Sequence, residues 1–158
     1  MVLVVPENEY ADGEATIPIS ELPIHVDQNS ATDRSATDYI LSMSDHPVRS
    51  ACMAVAKASG LQPVNVIHPT AQISPSARIG KGVYVAAYSV VSCEAVIEDH
   101  VTINFQATVG HHSKVESHAR VNPGARLGGH TRIGRRVLVG ANSFVFQGKQ
   151  IGDDTLID

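Results

Sequence analysis

Tryptophan is absent from the sequence, and Phe, Tyr and Trp together account for only 4 % of it. A core with so few rings is narrow and filled by Ile, Val and Ala. Cysteine is scarce: Cys52 and Cys93 have no zinc-type spacing, which excludes a disulfide framework and points to reduced thiols. No run of about eighteen apolar residues exists, so no helix of this sequence is expected to span a membrane. The opening Met-Val-Leu-Val-Val-Pro-Glu-Asn-Glu lacks the basic start of a signal peptide, and cytoplasmic residence is the expectation. Positive charge is not in excess either, and the net charge of −4 argues against nucleic acid as a partner. That charge is uneven: residues 1–66 carry nine acids and three bases, whereas 67–158 carry nine bases and seven acids. The mildly basic second part suits a phosphorylated small ligand.

The residues that are present follow a rule from Ile67 onward. An aliphatic residue falls on every sixth position, through Ile73, Ile79, Val85, Val91, Ile97, Ile103, Val109, Val115, Val121, Leu127, Ile133, Val139, Val145 and Ile151 to Ile157. Four residues after each stands a small or β-branched residue such as Ala71, Ala95, Ala107, Ser113 or Ala125, and only Lys149 breaks this second series. Strand side chains alternate between faces, so positions five, six and the next one read in, out, in, and the remaining residues turn a corner. A period of six keeps no single face of a 3.6-residue helix. It signals a parallel β-helix, whose stacked coils bury what no single repeat can bury alone.

Before the repeats, Val2 to Val5 reads as a strand, Pro6 to Ala15 and Ser30 to Thr37 as turn-rich or loop-like, and Tyr39 to Met43 as a buried strand. Ser44-Asp45-His46-Pro47 then leads into a helix over Val48 to Ser59, with Ala51, Val55 and Ala58 on one side and Gly60 past its end. Pro63 to Ile67 is the next strand. The order strand, helix, strand predicts a βαβ unit leading into the first coil, with a domain boundary at 66/67.

The hexads, with Ile-Gly openings at Ile79-Gly80, Ile133-Gly134 and Ile151-Gly152, resemble the hexapeptide acyltransferases. The strand, Ser44-Asp45 loop, helix with Arg49 and Val66-Ile67-His68-Pro69-Thr70-Ala71 narrow this to the amino-sugar N-acetyltransferases and sialic acid O-acetyltransferases. The resemblance implies a mainly β fold: a left-handed parallel β-helix of about five coils with three hexads per coil, preceded by a truncated α/β nucleotide-fold-like unit. It covers residues 38–158. The family's opening strand with its Gly-rich loop has no counterpart here, and its members run on for about another coil beyond the position of Asp158.

With eighteen residues per coil, Cys93, His111 and Gly129 stack in one column and Glu94, His112 and His130 in the next; His100, His118 and Arg136 form a column on a different corner. Val109-Gly110-His111-His112-Ser113-Lys114-Val115 matches the place where the family carries a catalytic histidine followed by an acidic residue. The match implies His111 as general base, and histidine is the side chain whose ordinary pKa suits that task near neutrality. His112 then stands where the family has a carboxylate, with Glu94, one coil below, as the nearest substitute. Gly129 matches the backbone amide that stabilises the tetrahedral oxyanion. The family's acceptor-binding histidine falls on Arg120. Coenzyme contacts are implied at Gly129, His130 and Ala141, and the outward bases Lys114, Arg120, Arg126 and Arg132 are candidates for its phosphates.

These matches lead to an acetyl-CoA-dependent acetyltransferase acting on an amino-sugar nucleotide or a sialic acid, assembled as a homotrimer with no resident metal. The alternatives are a non-catalytic β-helix scaffold, a truncated fragment, or a metal lyase resembling the gamma-class carbonic anhydrases. The last needs Gly-His-x-x-x-x-His, whereas His111 and His118 are seven apart and His112 and His118 six. Corner histidines also have a plain reading as solvated turn residues, and the four outward bases as a solvated face.

Overall fold

The computed structural model describes Leu3–Val4, His25–Val26, residues 38–41 and residues 46–158. The chain divides into two compact units, Met1–Val64 and Asn65–Asp158.

In the first unit, Leu3–Val4 pairs antiparallel with His25–Val26. Asp38–Tyr39 pairs in parallel with Gln62–Pro63, and the helix His46–Ala58 joins them, which is the expected βαβ unit. The expected strand to Met43 is shorter than predicted, and the Ser44-Asp45 loop, Pro6–Ala15 and Ser30–Thr37 lie outside the described residues. The helix stops at Gly60, whose φ of 76° is open to glycine without strain. There Leu61 N–H donates to Ala56 O at 3.0 Å and Gly60 N–H to Lys57 O at 3.1 Å, the paired bonds of a Schellman cap. The buried face differs from the predicted one: Arg49, Cys52 and Ala56 are buried, while Ala58 is exposed. Four alanines are spread around this short helix, so apolar character alone does not single out a face. Burial raises the pKa of the Cys52 thiol.

The second unit is a left-handed parallel β-helix with three faces. Face I stacks Gln72–Ile73, Val90–Val91, Thr108–Val109, Arg126–Leu127 and Phe144–Val145. Face II stacks Arg78–Ile79, Val96–Ile97, Lys114–Val115, Arg132–Ile133 and Gln150–Ile151. Face III runs from Val66–Ile67 through Tyr84–Val85, Thr102–Ile103, Arg120–Val121 and Leu138–Val139 to Leu156–Ile157. Every pairing advances by one coil of eighteen residues, as in Val96 with Lys114 and Ile97 with Val115. Positions one and five point inward and are sealed: Val83, Val85, Ala95, Val101, Ile103, Ala107, Val115, Ala119, Val121 and Ile133 are fully buried.

Each corner is turned by a residue in the left-handed region at position four, where φ lies between 55° and 75° from Gly82 to Asp154. Ten of these residues are not glycine, and each bears about 1 kcal/mol or more of backbone strain. The conformation directs the residue's N–H down to the preceding coil: His100 to Lys81 O, His112 to Cys93 O, His118 to Asp99 O, His130 to His111 O, at 2.8 to 3.1 Å. Such a bond offsets the strain by a comparable amount.

Candidate functional site

The corner between faces I and II places position three of successive coils at Cys93, His111 and Gly129, and position four at Glu94, His112 and His130. His111 Nδ1 lies 3.2 Å from His112 Nδ1, so one ring donates and the other accepts. His130 completes the group, edge-on to His111 with ring centroids 5.0 Å apart and stacked on His112 at 4.9 Å. One ring nitrogen from each of the three lies within 4.8 Å of the other two, and no other group of this kind occurs among the described residues. His111 is half-buried and the other two are exposed. Glu94 bonds to neither ring among the described residues, so the substitute carboxylate expected one coil below is not engaged; the partner of His111 is His112 itself.

The far edge of the His111 ring lies over Gly129. A Cβ built on Gly129 would stand 2.5 Å from His111 Nε2 and 2.7 Å from Cε1, so only glycine leaves the ring where it is. The same close approach occurs in the backbone one residue earlier: a Cβ on Gly110 would meet the Gly128 carbonyl carbon and the Gly129 nitrogen at 2.5 Å. Glycine at both positions lets two coils and one imidazole converge on a single peptide.

Ser113 holds that peptide. It is buried, donates from Oγ to Gly128 O at 2.9 Å, and accepts from Thr131 N–H at 3.1 Å and Thr131 Oγ1–H at 3.0 Å. The Gly128–Gly129 peptide is trans, so fixing its carbonyl on Ser113 turns the Gly129 N–H the opposite way. At three other corners the position-three N–H is taken by a carboxylate: Lys81 N–H donates to Asp99 at 2.8 Å, Arg135 N–H to Asp153 at 2.9 Å, and Ser117 N–H to Glu98 at 3.0 Å. No acceptor takes the Gly129 N–H among the described residues. A fixed, unspent donor beside an imidazole Nε2 can receive negative charge developing on an oxygen. The sequence reading missed Ser113, which looks like one more small inward residue of the repeat.

Other expected site residues fall elsewhere in the chain. Arg120 is on face III and only 7 % exposed. Ala141 is exposed on the corner between faces III and I. Neither joins the histidine corner of its own chain. Of the four bases expected to face a phosphate, Lys114 and Arg132 are neutralised on face II. Lys114 Nζ is 2.7 Å from Glu98 and 3.5 Å from Glu116, and Arg132 Nε is 2.8 Å from Glu116. The Lys114 bond chiefly lowers the Glu98 pKa, and Glu98 in turn raises that of Lys114. The Glu116 bond raises the pKa of Arg132. Only Arg126, among the described residues, remains an exposed base of the four without an ion-pair partner. His100 and His118 stack with each other at 5.2 Å on the corner between faces II and III.

The exposed large apolar residues also have a pattern. Tyr88, Val90, Phe105, Phe144 and Phe146 all lie on face I or its two flanking corners, and Phe146, 66 % exposed, is on the same corner as the histidines in the coil after His130. The remaining two, Ile67 and Leu156, belong to the first and last strands of face III. Two open surface hollows, of about 360 and 620 Å³, lie against Arg78, Glu98 and Ser117 and against Ser74, Ser92 and Cys93. The three histidines line neither. No helix of the described residues is long and apolar enough to cross a membrane.

No family model and no curated protein matches the chain. Solved structures do. A variant of perosamine N-acetyltransferase from Caulobacter crescentus, in complex with CoA and GDP-perosamine, is 31 % identical over 76 % of this chain and 57 % of its own, with a TM-score of 0.73. The acetyltransferase domain of PglB from Neisseria gonorrhoeae is 32 % identical over 75 % of this chain and 58 % of its own, with a TM-score of 0.71, and is also known with acetyl coenzyme A. The chain thus spans less than three fifths of the length of these structures. In fold, and in sequence over three quarters of its length, it is similar to the hexapeptide-repeat sugar acetyltransferases.

Proposed function

We propose that this protein transfers the acetyl group of acetyl-CoA to the amine of an amino-sugar nucleotide, with His111 as general base. The observation that carries the reading is His111 Nε2 poised over a glycine whose N–H is fixed by Ser113 and unspent. If His111 Nδ1–H donates to His112 Nδ1, the lone pair of His111 is left on Nε2, the edge that faces Gly129. Nε2 takes the proton of the acceptor amine as its nitrogen attacks the thioester carbonyl carbon. The carbonyl oxygen becomes an oxyanion held by the Gly129 N–H. The C–S bond then breaks, an amide remains on the sugar, and the coenzyme leaves as its thiol after taking up a proton. Coenzyme contact at Gly129 and His130 fits this arrangement. Similarity to enzymes named for N-acetylation favours an amine acceptor over the hydroxyl of a sialic acid.

The active assembly is proposed to be a homotrimer with threefold symmetry. The apolar side chains gathered on face I, next to a histidine corner that lines neither of the two hollows described above, support a cleft completed by a neighbouring copy. Sedimentation at micromolar concentration is expected to give three times 16.8 kDa, and a monomer alone overturns the shared cleft.

The test of the chemistry is His111→Ala, assayed by release of the coenzyme thiol against a panel of nucleotide-linked amino sugars. Turnover is expected to fall by about 10² to 10⁴ with coenzyme binding retained, the usual worth of a general base. Full activity of His111→Ala on an acceptor that the native protein acetylates refutes the assignment.

A further inference from the structure

We infer that His111, His112 and His130 form a binding site for a single borderline-soft divalent cation, with zinc as the type, built within one chain. Three neutral imidazoles are the donor set that suits Zn²⁺ and its late first-row neighbours, and carboxylate-seeking Mg²⁺ and Ca²⁺ have no oxygen ligand here. The geometry is near that of a chelate. Two nitrogens on a tetrahedral zinc at 2.0–2.1 Å are about 3.3 Å apart, and the two Nδ1 atoms already stand at 3.2 Å. One ring nitrogen of His130, an exposed side chain, lies within 4.8 Å of one ring nitrogen on each of the other two. The backbone holds the three together: His130 N–H donates to His111 O at 2.8 Å, and His112 and His130 share the left-handed corner conformation, with φ of 57° and 55°. Neither His112 nor His130 has a carboxylate partner among the described residues, so no ion pair must be broken to bind a metal.

Three protein ligands leave one coordination position for water. Coordination through Nδ1 leaves the His111 proton on Nε2, so the loaded site has no lone pair facing Gly129. On the acetyl-transfer reading above, a bound ion therefore switches the base off, and the site acts as an inhibitory metal site.

Binding is read without any acetyl acceptor, which keeps its failure distinct from failure of that reading. The 158-residue protein is titrated with Zn²⁺ alone in competition with a chromophoric chelator. One ion per chain is expected, and His111→Ala, His112→Ala and His130→Ala should each weaken binding by at least about 10- to 100-fold, since removing a ligand costs no less than disturbing its supporting shell. His118→Ala, on another corner, is expected to bind as the native protein does. A Co²⁺-loaded sample is expected to show the strong visible absorption of a four-coordinate site. Absence of saturable Zn²⁺ binding, or native affinity in His130→Ala, overturns the inference. The native protein reports directly, so the conclusion does not depend on any variant folding.

Discussion

Replacing Gly129 by Ala tests the folding of this corner and its proposed chemistry separately. The new methyl group would lie 2.5, 2.7 and 2.9 Å from Nε2, Cε1 and Cδ2 of His111. Carbon contacts relax at about 3.5 Å or more, so the ring must retreat by about 1 Å. It can, because what the methyl meets is the far end of a half-buried side chain, and no backbone atom is among the three nearest to it. The His111 to His112 contact of 3.2 Å is lost in the movement. A displacement of about 1 Å at a catalytic group costs roughly 10²-fold in rate. The fold should be little affected, since His130 N–H still reaches His111 O and Gly148 N–H still reaches Gly129 O. Two companion variants give the contrast. Gly110→Ala presses a methyl on the backbone of the next coil at 2.5 Å and is expected to destabilise the protein severely. Gly148→Ala opens into free space at φ 75° and should cost about 1 kcal/mol of strain with native turnover. The assay is thiol release resolved into kcat and KM, beside a thermal melt of each variant. A Gly129→Ala protein that melts like the native one and turns over within about threefold of it refutes the placement of the base over this glycine.

Ser113→Ala should lower kcat by about tenfold, because the Gly128 carbonyl loses the bond that aims the Gly129 N–H. Ser113→Thr, which keeps a hydroxyl, should recover part of it, and an Ala variant that changes only KM speaks against the positioning role. Glu98 is held below its ordinary pKa of 4.5, chiefly by the bond from Lys114. A depressed carboxylate contributes stability above the unfolded value that is lost as pH falls through the folded one. Denaturant melts should therefore show Glu98→Gln losing about 1 kcal/mol or less at pH 7, with the difference shrinking as pH is taken progressively below 4.5; a difference that does not change with pH contradicts the linkage.

The repeat was legible because its register is rigid. Sixteen aliphatic positions six apart fix the strand and corner of every repeat, the resemblance supplies three repeats per coil, and the strands pair at eighteen throughout with no bulge. What lay beyond reach depends on neighbours one coil away. Lys114 and Arg132 read as free bases because their partners Glu98 and Glu116 are each sixteen residues earlier, a diagonal across coils that no local pattern shows. Arg49 reads as a polar helix residue, yet it is buried, with one guanidinium nitrogen 3.5 Å from Leu41 O. The left-handed corners were hidden for a different reason. Glycine marks that conformation at positions 82, 124 and 148, but Tyr, Glu, Gln and Arg adopt it too when the coil below accepts their N–H.

This backbone rule bears on which histidine matters. His100, His112, His118 and His130 all occupy position four, and histidine is among the residues enriched in the left-handed region. Their presence at corners thus has a conformational reason that requires no ligand or substrate. His111 sits at position three, outside the left-handed set, where the other corners carry residues as different as Pro, Lys, Ala, Cys, Asp, Phe, Ser, Gly, Arg and Gln. Nothing in the turn calls for an imidazole there. The cost of placing it is visible in its surroundings: Gly129 above it is stripped to hydrogen so that the ring fits, and the peptide beside it is anchored from inside the prism by Ser113. Histidines at position four are available to the corner, and on the proposed reading His112 and His130 serve through their contact with His111. The proposed chemistry therefore centres on the one histidine that the fold does not explain.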